Sequence, residues 1–201
     1  MTTPATAADP AIPATTRWRT LDIVITAVIG VVFGVVFWLW DLVWSGAQPI
    51  FAGAPQLEYV ISGIWLLPAV LAPMIVRKPG AALFAEVMAA AVSALLGNTW
   101  GLDVILSGFV QGAGAELVFA FGLYRSFTLR TAVLAGAAAA LGEVLHDLPI
   151  YYPSAQFGPD VQLAILVAAV ASGAVLAGLV GWYLLQALRG TGVIDAFPGG
   201  A

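Results

Sequence analysis

The sequence predicts an all-α integral membrane protein, a six-transmembrane-helix bundle with both termini in the cytoplasm. Two observations carry this reading. Of 201 residues, 61% are hydrophobic and only 9% charged, whereas a soluble domain carries about 25% charged residues. The apolar residues also gather into six runs, and all seven basic residues fall at one end of the bundle those runs would form.

A membrane-crossing helix needs about 20 predominantly apolar residues. Residues 1–16, MTTPATAADPAIPATT, have no hydrophobic period and read as a disordered cytoplasmic tail. The run behind Arg17 and Arg19 exceeds the core of a signal sequence, about 7–15 residues, and becomes span 1 at 21–44. Span 2 covers 58–76, between SGAQPIFAGAPQL and RKPG. Span 3 covers 80–97, and NTWGL leads from it to span 4 at 103–124. RSFTL precedes span 5, 129–150, and YYPSAQFGPD precedes span 6, 162–188, which is long enough to tilt or to extend into water. Residues 17–189 form one six-helix membrane domain, followed by a cytoplasmic C-terminal tail, 190–201.

Orientation follows from charge. Arg17 and Arg19 precede span 1, and Arg77 and Lys78 join spans 2 and 3. Arg125 and Arg130 flank the turn between spans 4 and 5, and Arg189 follows span 6. Basic residues mark cytoplasmic connectors, so this end faces inward.

Several chemistries are excluded. The chain has no cysteine, so neither disulfides nor thiolate metal sites arise. One histidine, His146, cannot supply a two-histidine zinc motif, and no GxSxG elbow occurs. Lys78 is followed by Pro79, so there is no Walker A lysine, and the basic residues form no nucleic-acid patch. The sequence points to no catalysis, cofactor or metal, and uphill transport would draw on an ion gradient or a partner.

Small residues recur every fourth position: Thr26, Gly30 and Gly34 in span 1; Ala81, Ala85, Ala89 and Ser93 in span 3; Ala132, Gly136 and Ala140 in span 5. Such stripes let helix backbones approach closely in lipid. They serve packing within the bundle or, for Gly30, Gly34, Ala81 and Ala85, docking of another membrane subunit.

Ionisable residues inside a membrane are costly and mark function. In LGEVLHDLPIYYP, Glu143, Asp147 and Tyr151 are spaced i, i+4, i+8, and His146 is i+3 from Glu143, so the four share a helix face. At ~1.5 Å per residue, Glu143 lies roughly 20 Å from Arg130, in the outer half of the membrane. Trp38, Asp41, Glu58, Asn98, Trp100 and Gln111 lie at similar depth and are expected to converge there. Carboxylates beside indole faces suit an organic cation or a polar heterocycle. The alternatives are an interfacial aromatic belt for Trp40 and Trp44, and a structural hydrogen-bond network for the span 5 trio. A stand-alone proton-coupled transporter or channel using Glu86, Glu116, Glu143 and His146 as a relay is the rival function.

The blocks WRTLDIVITAVIGVVFGVVFW, ISGIWLLPAVLAPMIVRKPGAALFAEVMAAAVSALLGNTWG and LSGFVQGAGAELVFAFGLY resemble the YkoE family, from about Trp18 to Arg189. These are substrate-binding S components of energy-coupling factor (ECF) transporters, associated with thiamine or hydroxymethylpyrimidine. The resemblance implies a six-helix subunit that captures a vitamin outside the cell and works with a transmembrane T component and cytoplasmic ATPases. S components often carry Ala-x-x-x-Ala on the first helix; here Ala27 is followed by Val31, and the nearest stripe is Thr26, Gly30, Gly34.

Overall fold

A computed structural model describes residues 17–200; the tail expected at 1–16 lies outside the described residues, as does Ala201. Among the described residues every regular element is a helix. Helix α1 spans Thr20–Phe51. A 3-10 helix, Pro55–Leu66, runs directly into α2, Leu67–Val76. Then come α3, Ala81–Leu95, α4, Asp103–Phe121, and α5, Leu129–Tyr151. The last segment comprises α6, Pro159–Ser172, a π-helical stretch, Gly173–Leu179, and α7, Val180–Thr191. Five of these segments are long and apolar enough to cross a membrane, and Ala81–Leu95 is a shorter apolar helix.

The elements close a ring. Helix α1 packs on α3, α3 on α4, α4 on α5, and α5 on the α6/π segment, while the 3-10 helix bridges α6 and α1. The centre is α2, all ten of whose residues are buried. Close approach depends on small residues. A Cβ on Gly136 would strike the Gly173 carbonyl, so α5 and the π-helical stretch meet backbone to backbone.

The same geometry corrects the docking expectation. A Cβ added to Gly30 would sit 2.6 Å from Met88 Cβ, and one on Gly34 would sit 2.5 Å from Val92 Cβ. Ala81 and Ala85 are fully buried. The stripes on α1 and α3 face each other, so Gly30, Gly34, Ala81 and Ala85 are occupied by internal packing and offer no surface to a partner. Lipid supplies no hydrophobic drive for helix association, so the dense contact needed inside the bundle uses these residues.

Two glutamates of the rival relay reading, Glu86 and Glu116, tie helices together. Helix N-termini leave unpaired N–H groups, and a membrane has no water to satisfy them. Glu86 of α3 accepts the Ala69 N–H in the first turn of α2, at 3.0 Å. Glu116 of α4 does the same for α3. It accepts from the N–H groups of Gly80 (2.6 Å), Ala82 (2.9 Å) and Leu83 (3.4 Å), and from the Tyr124 hydroxyl at 2.6 Å. Gly80 turns into α3 at φ 86°, a left-handed conformation natural to glycine. Glu116→Ala is therefore expected to destabilise the fold by about 1–3 kcal/mol, the cost of leaving buried donors unpaired. Thermal unfolding in detergent checks it, with an unchanged midpoint counting against the cap.

Helix ends differ from the expected spans. Helix α1 continues through Pro49 to Phe51, so most of the expected first connector is helical. The C-terminal segment does not hang free. After Gly192 it turns back, buries Ile194 and Phe197, and donates the Gly199 N–H to the Ile75 carbonyl at 2.9 Å.

Candidate functional site

A cavity of about 230 Å³ opens at the end of the bundle opposite the basic residues. Helix α1 lines it with Phe37, Asp41, Trp44 and Gln48, one face at near-fourfold spacing. Helix α4 adds Asp103, Ser107 and Gln111, and α5 adds Glu143, His146, Asp147 and Tyr151. Glu58, Trp65, Ser93, Trp100 and Tyr152 complete much of the wall.

The 3-10 helix organises this site. With three residues per turn and a rise of about 2.0 Å per residue, Tyr59, Ser62 and Trp65 stack in one line. Each donates to a different carboxylate. The Tyr59 hydroxyl bonds Asp147 Oδ2 at 2.8 Å, Ser62 Oγ bonds Glu143 Oε2 at 3.0 Å, and Trp65 Nε1 bonds Asp41 Oδ1 at 3.1 Å. In an α-helix these positions would drift round the axis. The 3-10 run is pinned by Ser172 of α6, which accepts the Gly63 N–H and donates to the Val60 carbonyl, both at 2.9 Å.

Five carboxylates line the cavity: Asp41, Glu58, Asp103, Glu143 and Asp147. Among the described residues no lysine or arginine does. His146 is the sole counterweight. Its Nδ1 lies 2.8 Å from Asp147 Oδ1, and its Nε2 lies 3.3 Å from Asp103 Oδ2, close enough for charge but outside hydrogen-bond geometry. The Tyr151 hydroxyl donates to Asp103 at 2.6 Å and joins α5 to α4 at the mouth. Asp41 is only 3% exposed, and its Oδ2 is buried without a hydrogen-bond partner. A buried carboxylate oxygen left unpaired is costly, which makes Asp41 a candidate to meet a ligand's donor or cation.

The remaining wall is aromatic. Trp44 and Trp65 lie 4.9 Å apart between ring centroids, Trp65 and Trp100 5.4 Å, and Trp44 and Tyr59 5.7 Å. These edge and tilted contacts join the rings into one aromatic side of the cavity. Carboxylates provide charge, and indole faces attract a cation through the ring quadrupole. A cavity somewhat below the ~300–1,000 Å³ typical of drug-sized sites suits a small organic ligand. Among the described residues no group of three or more His, Asp or Glu side chains forms a metal cluster.

Eight of the ten expected site residues meet here: Asp41, Glu58, Trp100, Gln111, Glu143, His146, Asp147 and Tyr151. Two do not. Trp38 lies one position beyond Phe37, off the cavity face of α1, and is half-buried elsewhere. Asn98 donates to Ser93 Oγ at 2.9 Å and closes the end of α3, while the following Thr99 and Trp100 reach the wall. Trp65, Asp103 and Ser93 were missed, and a Tyr-x-x-Ser-x-x-Trp period of three was the available signal for Trp65.

Residues 21–142 match the family described as the permease component of an ABC-type cobalt transport system. A relative from Bacillus subtilis (strain 168), the "Putative HMP/thiamine permease protein YkoE", is 39% identical over 180 residues, covering 89% of this chain and 88% of the relative. A solved structure described as "Crystal structure of an S-component of ECF transporter" superposes with a TM-score of 0.85 at 38% identity, covering 90% of this chain and 91% of the other.

Proposed function

This chain belongs to the YkoE family of S components of ECF transporters, non-catalytic membrane subunits that bind a small molecule, and from that membership we propose that its ligand is thiamine or a thiamine-related pyrimidine such as hydroxymethylpyrimidine. The observation that carries the proposal is the pairing of five carboxylates with the Trp44, Trp65 and Trp100 faces in one small cavity. Thiamine joins a permanently cationic thiazolium to a flat aminopyrimidine. The cation answers the negative wall, and the aminopyrimidine offers both donors to the carboxylates and a plane for the indoles.

The capture end is extracellular and both termini are cytoplasmic, because all seven basic residues lie at the end away from the cavity. The chain carries no nucleotide motif, so delivery depends on a T component and ATPase subunits. Reconstitution into liposomes tests this. Uptake of labelled thiamine is expected only when partner subunits and internal ATP are present. Uptake by this chain alone, driven by a proton gradient, would overturn the proposal and favour a stand-alone transporter.

A further inference from the structure

The basic end of the bundle holds a second cavity, about 520 Å³, bounded by four separate stretches of chain. Arg19 comes from the entry to α1, Arg77 and Lys78 from the α2–α3 connector, and Tyr124 and Arg125 from the α4–α5 connector. The folded-back C-terminal segment forms the fourth side. Four of the protein's seven basic residues therefore face one concavity.

Their charges are unevenly compensated. Arg19 is paired to Asp22 at 2.7 Å, and the nearby Glu116 is taken up by Tyr124 and the α3 N-terminus. Among the described residues, no ion pair to a carboxylate is formed by Arg77 or Arg125. Arg77 lies over the Phe127 ring at 5.0 Å, yet its Nε is buried without a hydrogen-bond partner. Burial, then the neighbouring Arg189 charge, holds its guanidinium below the usual arginine range. The backbone is also strained here. Among the described residues only Arg77, Leu123 and Tyr124 are non-glycine residues at positive φ, and all three lie in the two connectors that build this wall. Strain of this kind costs of order 1–3 kcal/mol per residue and gathers at ligand-holding sites.

We propose that this cavity binds a phosphate group, held by the guanidiniums of Arg77 and Arg125 with Lys78 alongside. Arginine forks match phosphate oxygens with strong charge-assisted hydrogen bonds, and both guanidiniums line this cavity with no carboxylate paired to them among the described residues. The cavity lies where a helical bundle meets the membrane surface, so the phosphate belongs either to an anionic lipid headgroup, which basic pockets between helices attract, or to free phosphate.

The test uses the full chain purified in neutral detergent, titrated with phosphatidylglycerol, phosphatidylcholine or inorganic phosphate and read by native mass spectrometry and thermal unfolding. Saturable binding of phosphatidylglycerol, roughly tenfold or more tighter than phosphatidylcholine and not displaced by excess phosphate, identifies a lipid headgroup. Saturable binding of inorganic phosphate without a lipid preference identifies free phosphate. In either case Arg77→Gln/Arg125→Gln is expected to weaken binding at least about tenfold, while Arg130→Gln, outside the cavity, leaves it unchanged. Arg125 is exposed, so Arg125→Gln alone serves if the double variant fails to fold. Absence of saturable binding, or equal binding by the arginine variants, overturns the proposal.

Discussion

Thiamine affinity is expected to fall roughly 10- to 150-fold in Glu143→Gln, the loss of one charge-assisted contact of about 1.5–3 kcal/mol. Glu143 lines the cavity, is 3% exposed, and keeps Ser62 at 3.0 Å through one oxygen. Glutamine preserves the shape and can still accept from Ser62, so the change removes only the ionisable group. Asp41→Asn is expected to act with similar size, because Asp41 lines the cavity and its Oδ2 is a buried acceptor left without a partner. Neutral hydroxymethylpyrimidine should lose less than thiamine in both variants. Calorimetric titration of each ligand checks this, with unfolding midpoints confirming that the variants are folded. Equal losses for both ligands would place the cation away from these carboxylates.

The other large effect concerns Trp65. Its ring contacts Trp44 and Trp100, and its Nε1 is the donor that holds Asp41 at 3.1 Å. Trp65→Ala removes a wall and leaves a buried carboxylate without its donor. The expected loss is about 2–4 kcal/mol, or roughly 30- to 1,000-fold in affinity. Trp65→Phe keeps an aromatic face and loses only the N–H, so it should fall between the parent and Trp65→Ala. A phenylalanine variant as weak as the alanine variant would mean that Trp65 acts through Asp41 alone.

Much of this arrangement was legible in the residues. The i, i+4, i+8 spacing placed Glu143, Asp147 and Tyr151 on one face because α5 is a regular helix there. Trp65 was hidden for the opposite reason: ISGIWLLP reads as an ordinary apolar span, and the pattern of apolar residues does not announce a 12-residue 3-10 run. Such runs are uncommon and owe their stability to neighbours such as Ser172. Asp103 looked like the first residue of a span, yet it reaches across the mouth to Tyr151. Small-residue stripes state that something comes close without stating what. For Gly30 and Gly34 the neighbour is α3 of the same chain.

The most direct test is titration of thiamine and hydroxymethylpyrimidine into the full chain, purified alone, with no ion gradient and no partner subunit. The carboxylate and tryptophan cavity predicts saturable binding at a single site, weakened by Glu143→Gln and Asp41→Asn and unaffected by Arg125→Gln at the other end. Binding of neither ligand by the folded chain, or undiminished binding when both Glu143 and Asp41 are neutralised, would contradict the assignment of this cavity as the capture site.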